Sequence, residues 1–208
     1  ITAMDAITTG DSNSAFGFGA LGANTTGAHN TAVGRQALLA NTTGVSNVAM
    51  GSDSLLTNTT GNYNTALGNQ VLYNNTTASY NTGLGQNALF TNTTGANNTA
   101  TGYKALFANT TGASNTAVGD ESLTANTTAS YNTAFGRRTL YANTTGHSNV
   151  AVGYVALKDN TEGLYNIAIG RGALANNTTA SNNVAVGQDA LGVNTTGTRN
   201  IAIGTNAY

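Results

Sequence analysis

The residues of this chain whose types and spacing could do chemistry are asparagine and threonine, and both recur at fixed intervals. Asn-Thr-Thr is an acceptor pattern for N-linked glycans, and ten copies between Asn24 and Asn194 qualify; the copy at Asn160 fails because Glu162 follows Thr161. The same amides can act structurally, chaining N–H to C=O from one copy to the next and satisfying turn backbone. Repeated threonine offers either ranks of surface hydroxyls suited to binding ice or hydroxyls that cap turns. Of the carboxylates Asp5, Asp11, Asp53, Asp120, Glu121, Asp159, Glu162 and Asp189, only Asp53, Glu121 and Asp189 share a spacing, 68 residues, too sparse to converge, and His29 and His147 lie far apart. A catalytic site needs convergent groups with tuned acidity, and a calcium solenoid needs Gly-Gly-x-Gly-x-Asp; neither pattern is here. The sequence therefore predicts no enzyme, no metal and no cofactor.

The elements that must position these residues follow from a strict repeat. The word Asn-x-Ala-x-Gly starts at Asn13, Asn30, Asn47 and so on to Asn200, twelve copies with an unbroken period of 17. Numbered from that Asn, the unit reads N-[TVI]-A-[VIFLM]-G-x-x-A-L-x-x-N-T-T-G-x-x. A fixed period too short for a helix pair implies a solenoid with one coil per repeat. Alternating β-branched residues, as in Asn166-Ile167-Ala168-Ile169-Gly170, predict a strand over positions 1 to 5. A second extended segment is expected over positions 6 to 10, then a turn at Asn-Thr-Thr-Gly. Glycine at position 5 in all twelve copies, Gly17 to Gly204, marks a corner that needs positive φ.

The predicted fold is thus all-β: a parallel β-solenoid of about twelve coils, roughly 58 Å tall at about 4.8 Å per coil. Residues 1–208 form one domain, with a partial coil 1–12, eleven full coils 13–199 and a partial coil 200–208. Leucine fills position 9 in all eleven complete repeats, so Leu38, Leu55, Leu72, Leu89 and Leu106 are expected in an internal core column. Burial of each leucine contributes about 1.5–3 kcal/mol against the entropy of ordering the chain. A glycan on every rung would not fit at about 4.8 Å spacing, so Asn41, Asn58, Asn75, Asn92 and Asn109 are expected to form an internal amide ladder.

Threonine occupies position 13 throughout, and position 14 everywhere except Glu162. Adjacent residues of an extended segment point to opposite sides, so this pair gives each face only one rank. Position 2, which might have supplied another, drifts to Val48, Val150, Ile167, Val184 and Ile201. Turn capping is the simpler role. At position 10, Leu39, Leu56, Tyr73, Phe90 and Phe107 form a stripe on successive coils, a candidate docking surface for a partner chain or ligand. The few charges agree with stacking: Lys104, Glu121 and Arg138 alternate at position 7, and Asp120 precedes Arg137 by one coil at position 6.

Composition narrows the function. Charged residues are 7% and the net charge is −1, which leaves no footprint for nucleic acid or an anionic membrane. No run of about 20 apolar residues and no leader pattern is present, so this segment is not expected to insert in a membrane, and a chain beginning at Ile1 reads as processed or excised. With 39% hydrophobic residues at regular intervals, order is favoured over disorder. No cysteine is present to report on redox compartment.

The strand words Asn30-Thr31-Ala32-Val33-Gly34, Asn149-Val150-Ala151-Val152-Gly153 and Asn200-Ile201-Ala202-Ile203-Gly204 resemble the head repeats of trimeric autotransporter adhesins, and are similar to repeats in some phage tail-fibre shafts. The resemblance implies a left-handed parallel β-roll, an obligate homotrimer, export to the cell surface and attachment to host or matrix. Independently, position 3 is alanine in all copies except Gly83 while position 4 is nearly always large and apolar, so the strand is restricted on both faces and its outer face calls for a neighbour. The ends Ile1-Thr2-Ala3-Met4 and Thr205-Asn206-Ala207-Tyr208 share positions 6 to 9, compatible with head-to-tail joining. The expected function is a structural segment of an extracellular fibre, filament or surface adhesin. Its partners are further copies of itself, as homotrimer or filament, with host surface, glycan or matrix as further candidates. A glycan-binding or matrix-binding module and an ice-binding protein are the alternatives.

Overall fold

A computed structural model describes residues 4–6 and 8–208. Among the described residues, twelve three-residue strands form one parallel sheet in strict chain order. They are β1 (Ser14–Phe16), β2 (Thr31–Val33), β3 (Val48–Met50), β4 (Thr65–Leu67), β5 (Thr82–Leu84) and β6 (Thr99–Thr101), then β7 (Thr116–Val118), β8 (Thr133–Phe135), β9 (Val150–Val152), β10 (Ile167–Ile169), β11 (Val184–Val186) and β12 (Ile201–Ile203). Every pairing has a register of 17, as in Ala32 opposite Ala49. The chain is a β-solenoid, and no helix occurs among the described residues. The partial first coil joins the stack through Met4 N–H to Ala20 O at 2.9 Å, whereas the shared phase of Ile1, Thr2 and Ala3 with the last residues lies outside the described residues.

One strand per coil forms instead of two. Positions 6 to 11 are a run of overlapping turns, seen in Ala37 N–H to Gly34 O (3.4 Å), Leu39 N–H to Gln36 O (3.2 Å) and Asn41 N–H to Leu38 O (3.2 Å). Positions 7 and 9 adopt the left-handed region, Gln36 at φ 57° and Leu38 at φ 52°. Their N–H groups point in opposite directions along the stack: Gln36 N–H reaches Phe18 O of the preceding coil at 2.8 Å, and Leu38 N–H reaches Ser54 O of the following coil at 3.0 Å. The turn side therefore bonds to both neighbouring coils without extended strands. Left-handed conformation costs an L-residue about 1–2 kcal/mol, and leucine burial of about 1.5–3 kcal/mol offsets it at position 9.

The core is thin and assembled from columns. Leu21 to Leu174 are fully buried, with alanine of positions 3 and 8 beside them. Glycine at position 5 is required twice over. Gly102 sits at φ +133°, and an added Cβ would overlap the Gly119 carbonyl of the next coil.

Two asparagine columns complete the interior. At position 12 the Nδ2 of each asparagine donates to Oδ1 of the preceding one, without a break from Asn194 back to Asn24, at 2.7–3.3 Å. At position 1 each backbone N–H donates to the preceding Oδ1, as in Asn47 to Asn30 at 2.9 Å. Both columns converge on the position-15 carbonyl: Gly44 O accepts from Asn30 Nδ2 at 2.8 Å and from Asn41 Nδ2 at 3.0 Å. Every polar hydrogen of the Asn41 amide is thereby used inside the coil.

Candidate functional site

Because alanine at position 3 points inward, positions 2 and 4 both point out of the sheet. They form two adjacent columns from β1 to β12. Position 4 runs Phe16, Val33, Met50, Leu67, Leu84, Thr101, Val118, Phe135, Val152, Ile169, Val186 and Ile203; position 2 holds serine, threonine, valine or isoleucine. None of these residues is charged. Phe135 is 55% exposed and Ile169 40%, even between neighbouring rungs. At position 2 threonine gives way to valine or isoleucine at Val48, Val150, Ile167, Val184 and Ile201, and with position 3 pointing inward this column becomes the second one of the face.

The position-10 stripe lies on the turn side. Tyr73, Phe90 and Phe107 stack in succession, with ring centroids 5.0 and 5.3 Å apart and planes within 16° and 8°. Leu39 and Leu56 continue the column, and all five are half-buried. Lys104 Nζ lies 5.6 Å from the Phe107 ring centroid and 5.1 Å from that of Tyr103. Much of this apolar area is already used between coils.

Asn41, Asn58, Asn75, Asn92 and Asn109 stand in the position-12 ladder, fully buried, as do all the acceptor asparagines from Asn24 to Asn177 that share that position. A glycan on Nδ2 would displace a ladder hydrogen bond. Leu38, Leu55, Leu72, Leu89 and Leu106 lie in the central column. Threonine at position 13 caps the turn, its Oγ1 donating to the position-13 carbonyl of the next coil, as in Thr42 to Thr59 O at 3.1 Å. Threonine at position 14 forms one exposed rank.

Among the described residues, three charge pairs join neighbouring coils, and Lys158 pairs with the adjacent Asp159 at 2.8 Å. Arg137 Nε meets Asp120 Oδ2 at 3.0 Å, Arg138 Nε meets Glu121 Oε2 at 2.6 Å, and Arg35 reaches Asp53 at 2.6 Å. The Glu121 carboxylate raises Arg138 above its ordinary value, through their hydrogen bond first and charge attraction second. Among the described residues no group of three or more His, Cys, Asp or Glu side chains comes together as a metal site, and no helix is long and apolar enough to cross a membrane.

Sequence reasoning passed over position 17. There Tyr63 and Tyr80 stack with centroids 5.1 Å apart, and Tyr131 and Tyr165 recur further along the stack. The signal was tyrosine at multiples of 17, diluted by serine and asparagine in the intervening copies. No family model, curated protein or solved structure matches this chain.

Proposed function

We propose that the chain is a structural segment of an extracellular fibre, filament or surface adhesin, a rigid solenoid that associates with copies of itself. The observation that carries this reading is the uncharged, largely apolar outer face of the sheet, which continues over all twelve strands. At about 4.8 Å per rung it extends for roughly 50 Å. An exposed apolar face of this length in a chain otherwise rich in asparagine and threonine is the mark of an interface. The occupant that matches its rise rung for rung is another copy of the same solenoid. The resemblance to trimeric adhesin heads points to the same arrangement, with display at the cell surface and attachment to host or matrix.

Sedimentation velocity, with electron microscopy of the same sample, tests it. The chain is expected to run as an oligomer or filament, and a double variant Leu84→Lys, Ile169→Lys is expected to give monomers with an unchanged circular dichroism spectrum. Monomers of the unaltered chain at micromolar concentration, or assembly indifferent to both lysines, would overturn it.

A further inference from the structure

At position 17 the column reads Tyr131, Ser148, Tyr165 on three successive coils. All three residues hold the same left-handed backbone, φ 62°, 58° and 55°, so their side chains leave the coil alike. Where two tyrosines occupy adjacent coils in this column, at Tyr63 and Tyr80, the rings stack 5.1 Å apart. Between Tyr131 and Tyr165 serine stands in place of the middle tyrosine, and the His147 ring of that coil takes up part of the space on the Tyr165 side. The result is a cleft of about 340 Å³ bracketed by the two tyrosines, with Thr128, Thr145 and Ser130 at its rim and His147 beside Tyr165. The His147 and Tyr165 rings meet at 90°, centroids 5.3 Å apart, and His147 Nδ1 lies 3.2 Å from Ser148 Oγ.

We infer that this cleft is a carbohydrate site that takes one pyranose ring stacked on Tyr131, with the His147 and Tyr165 pair as its opposite wall. Two rungs separate the tyrosines by about 9–10 Å, and with the imidazole already against Tyr165 the stacking contact of about 4.5–5 Å falls to Tyr131. Tyr131, 68% exposed, offers an aromatic face to the C–H face of the sugar. The rim supplies hydroxyls and an imidazole to the equatorial hydroxyl edge, and no charged side chain lines the cleft. A neutral sugar, apolar on its faces and polar around its edge, fits this combination; a purely aromatic ring leaves the hydroxyl rim unused. The inference is independent of the self-association reading, since position 17 lies outside the sheet face.

The test is NMR titration of the assembled protein with methyl β-D-glucopyranoside, methyl β-D-galactopyranoside and methyl N-acetyl-β-D-glucosaminide, with p-cresol as the aromatic comparison. At least one sugar should shift the Tyr131, Ser148 and Tyr165 resonances saturably. Ser148→Tyr supplies the middle tyrosine at a position where tyrosine already folds in four other coils, and should weaken binding tenfold or more. Tyr131→Ala should do the same, whereas Tyr63→Ala, in the closed stack, should leave affinity unchanged. Absence of any sugar-induced shift, equal affinity in Ser148→Tyr, or saturable binding of p-cresol alone would overturn the assignment.

Discussion

The leucines of position 9 and the asparagines of position 12 are three residues apart in each coil and equally buried, yet they hold the stack by opposite means. Leucine contributes through area removed from water, which is non-directional and tolerates small shifts. The asparagine amide contributes through directed bonds to the coil before, the coil after and its own turn. A coil that slipped by one residue would still bury apolar atoms, but it would lose every amide bond of the ladder. The apolar column supplies cohesion and the polar column sets register, a division suited to a cross-section with room for few large side chains.

The largest break in this comparison should come from Asn109→Leu, which keeps the branched outline of the side chain, with bulkier methyl ends, and removes the amide. Asn92 Oδ1 loses its 2.7 Å bond and Asn126 Nδ2 its 2.8 Å bond, both inside the coil. Two stranded buried groups, each costing about 1–3 kcal/mol, give a loss of about 4 kcal/mol in denaturant unfolding. Hydrogen exchange should accelerate on the coils on either side. Leu106→Ala, in the apolar column of the same coil, should cost about 3 kcal/mol through lost burial and a residual cavity, with exchange faster mainly near that coil. A near-neutral Asn109→Leu would remove the distinction between the columns.

The two columns were legible in the sequence to different depths. Invariant leucine every 17 residues announces an interior, and Asn58 or Asn75 in the same phase announces a ladder, because only a stacked fold rewards such repetition. The conformation of the turn side was not legible. Gln36, Lys104 and Arg138 give no local sign of left-handed backbone; bonding to the coils above and below imposes it, and that is a tertiary cause. The candidate surfaces divide the same way. The apolar character of position 4 could be read directly, whereas the cleft at Tyr131 and Tyr165 depends on a gap in a stack and exists only in three dimensions.

A smaller effect sharpens the account of cohesion. Leu106 and Val155 share nearly the same backbone, φ 52° and 53°, but only the leucine is fully buried. Val155 is β-branched in a conformation that favours glycine and asparagine, and no comparable burial offsets its strain. Val155→Asn should therefore stabilise by about 1 kcal/mol, read as a raised thermal midpoint. A lowered midpoint would mean that half-buried packing at position 7 counts for more than backbone strain.

The smallest expected effect belongs to the charges, which sit on the outside of the register that the amides set. Arg138 and Glu121 meet at 2.6 Å, with side chains 43% and 20% exposed. Lys104, Glu121 and Arg138 alternate at position 7, yet Lys104 turns to the rings of Tyr103 and Phe107, leaving one pair. Glu121→Gln keeps a hydrogen-bond acceptor beside Arg138 and removes the charge. At low salt the thermal midpoint should fall by less than Val155→Asn raises it, and in about 1 M salt, where screening acts over roughly 3 Å, the difference between the two proteins should shrink. A difference undiminished by high salt would assign the worth of the pair to its direct 2.6 Å hydrogen bond and the burial of Glu121, because attraction between charges open to water weakens as salt screens it.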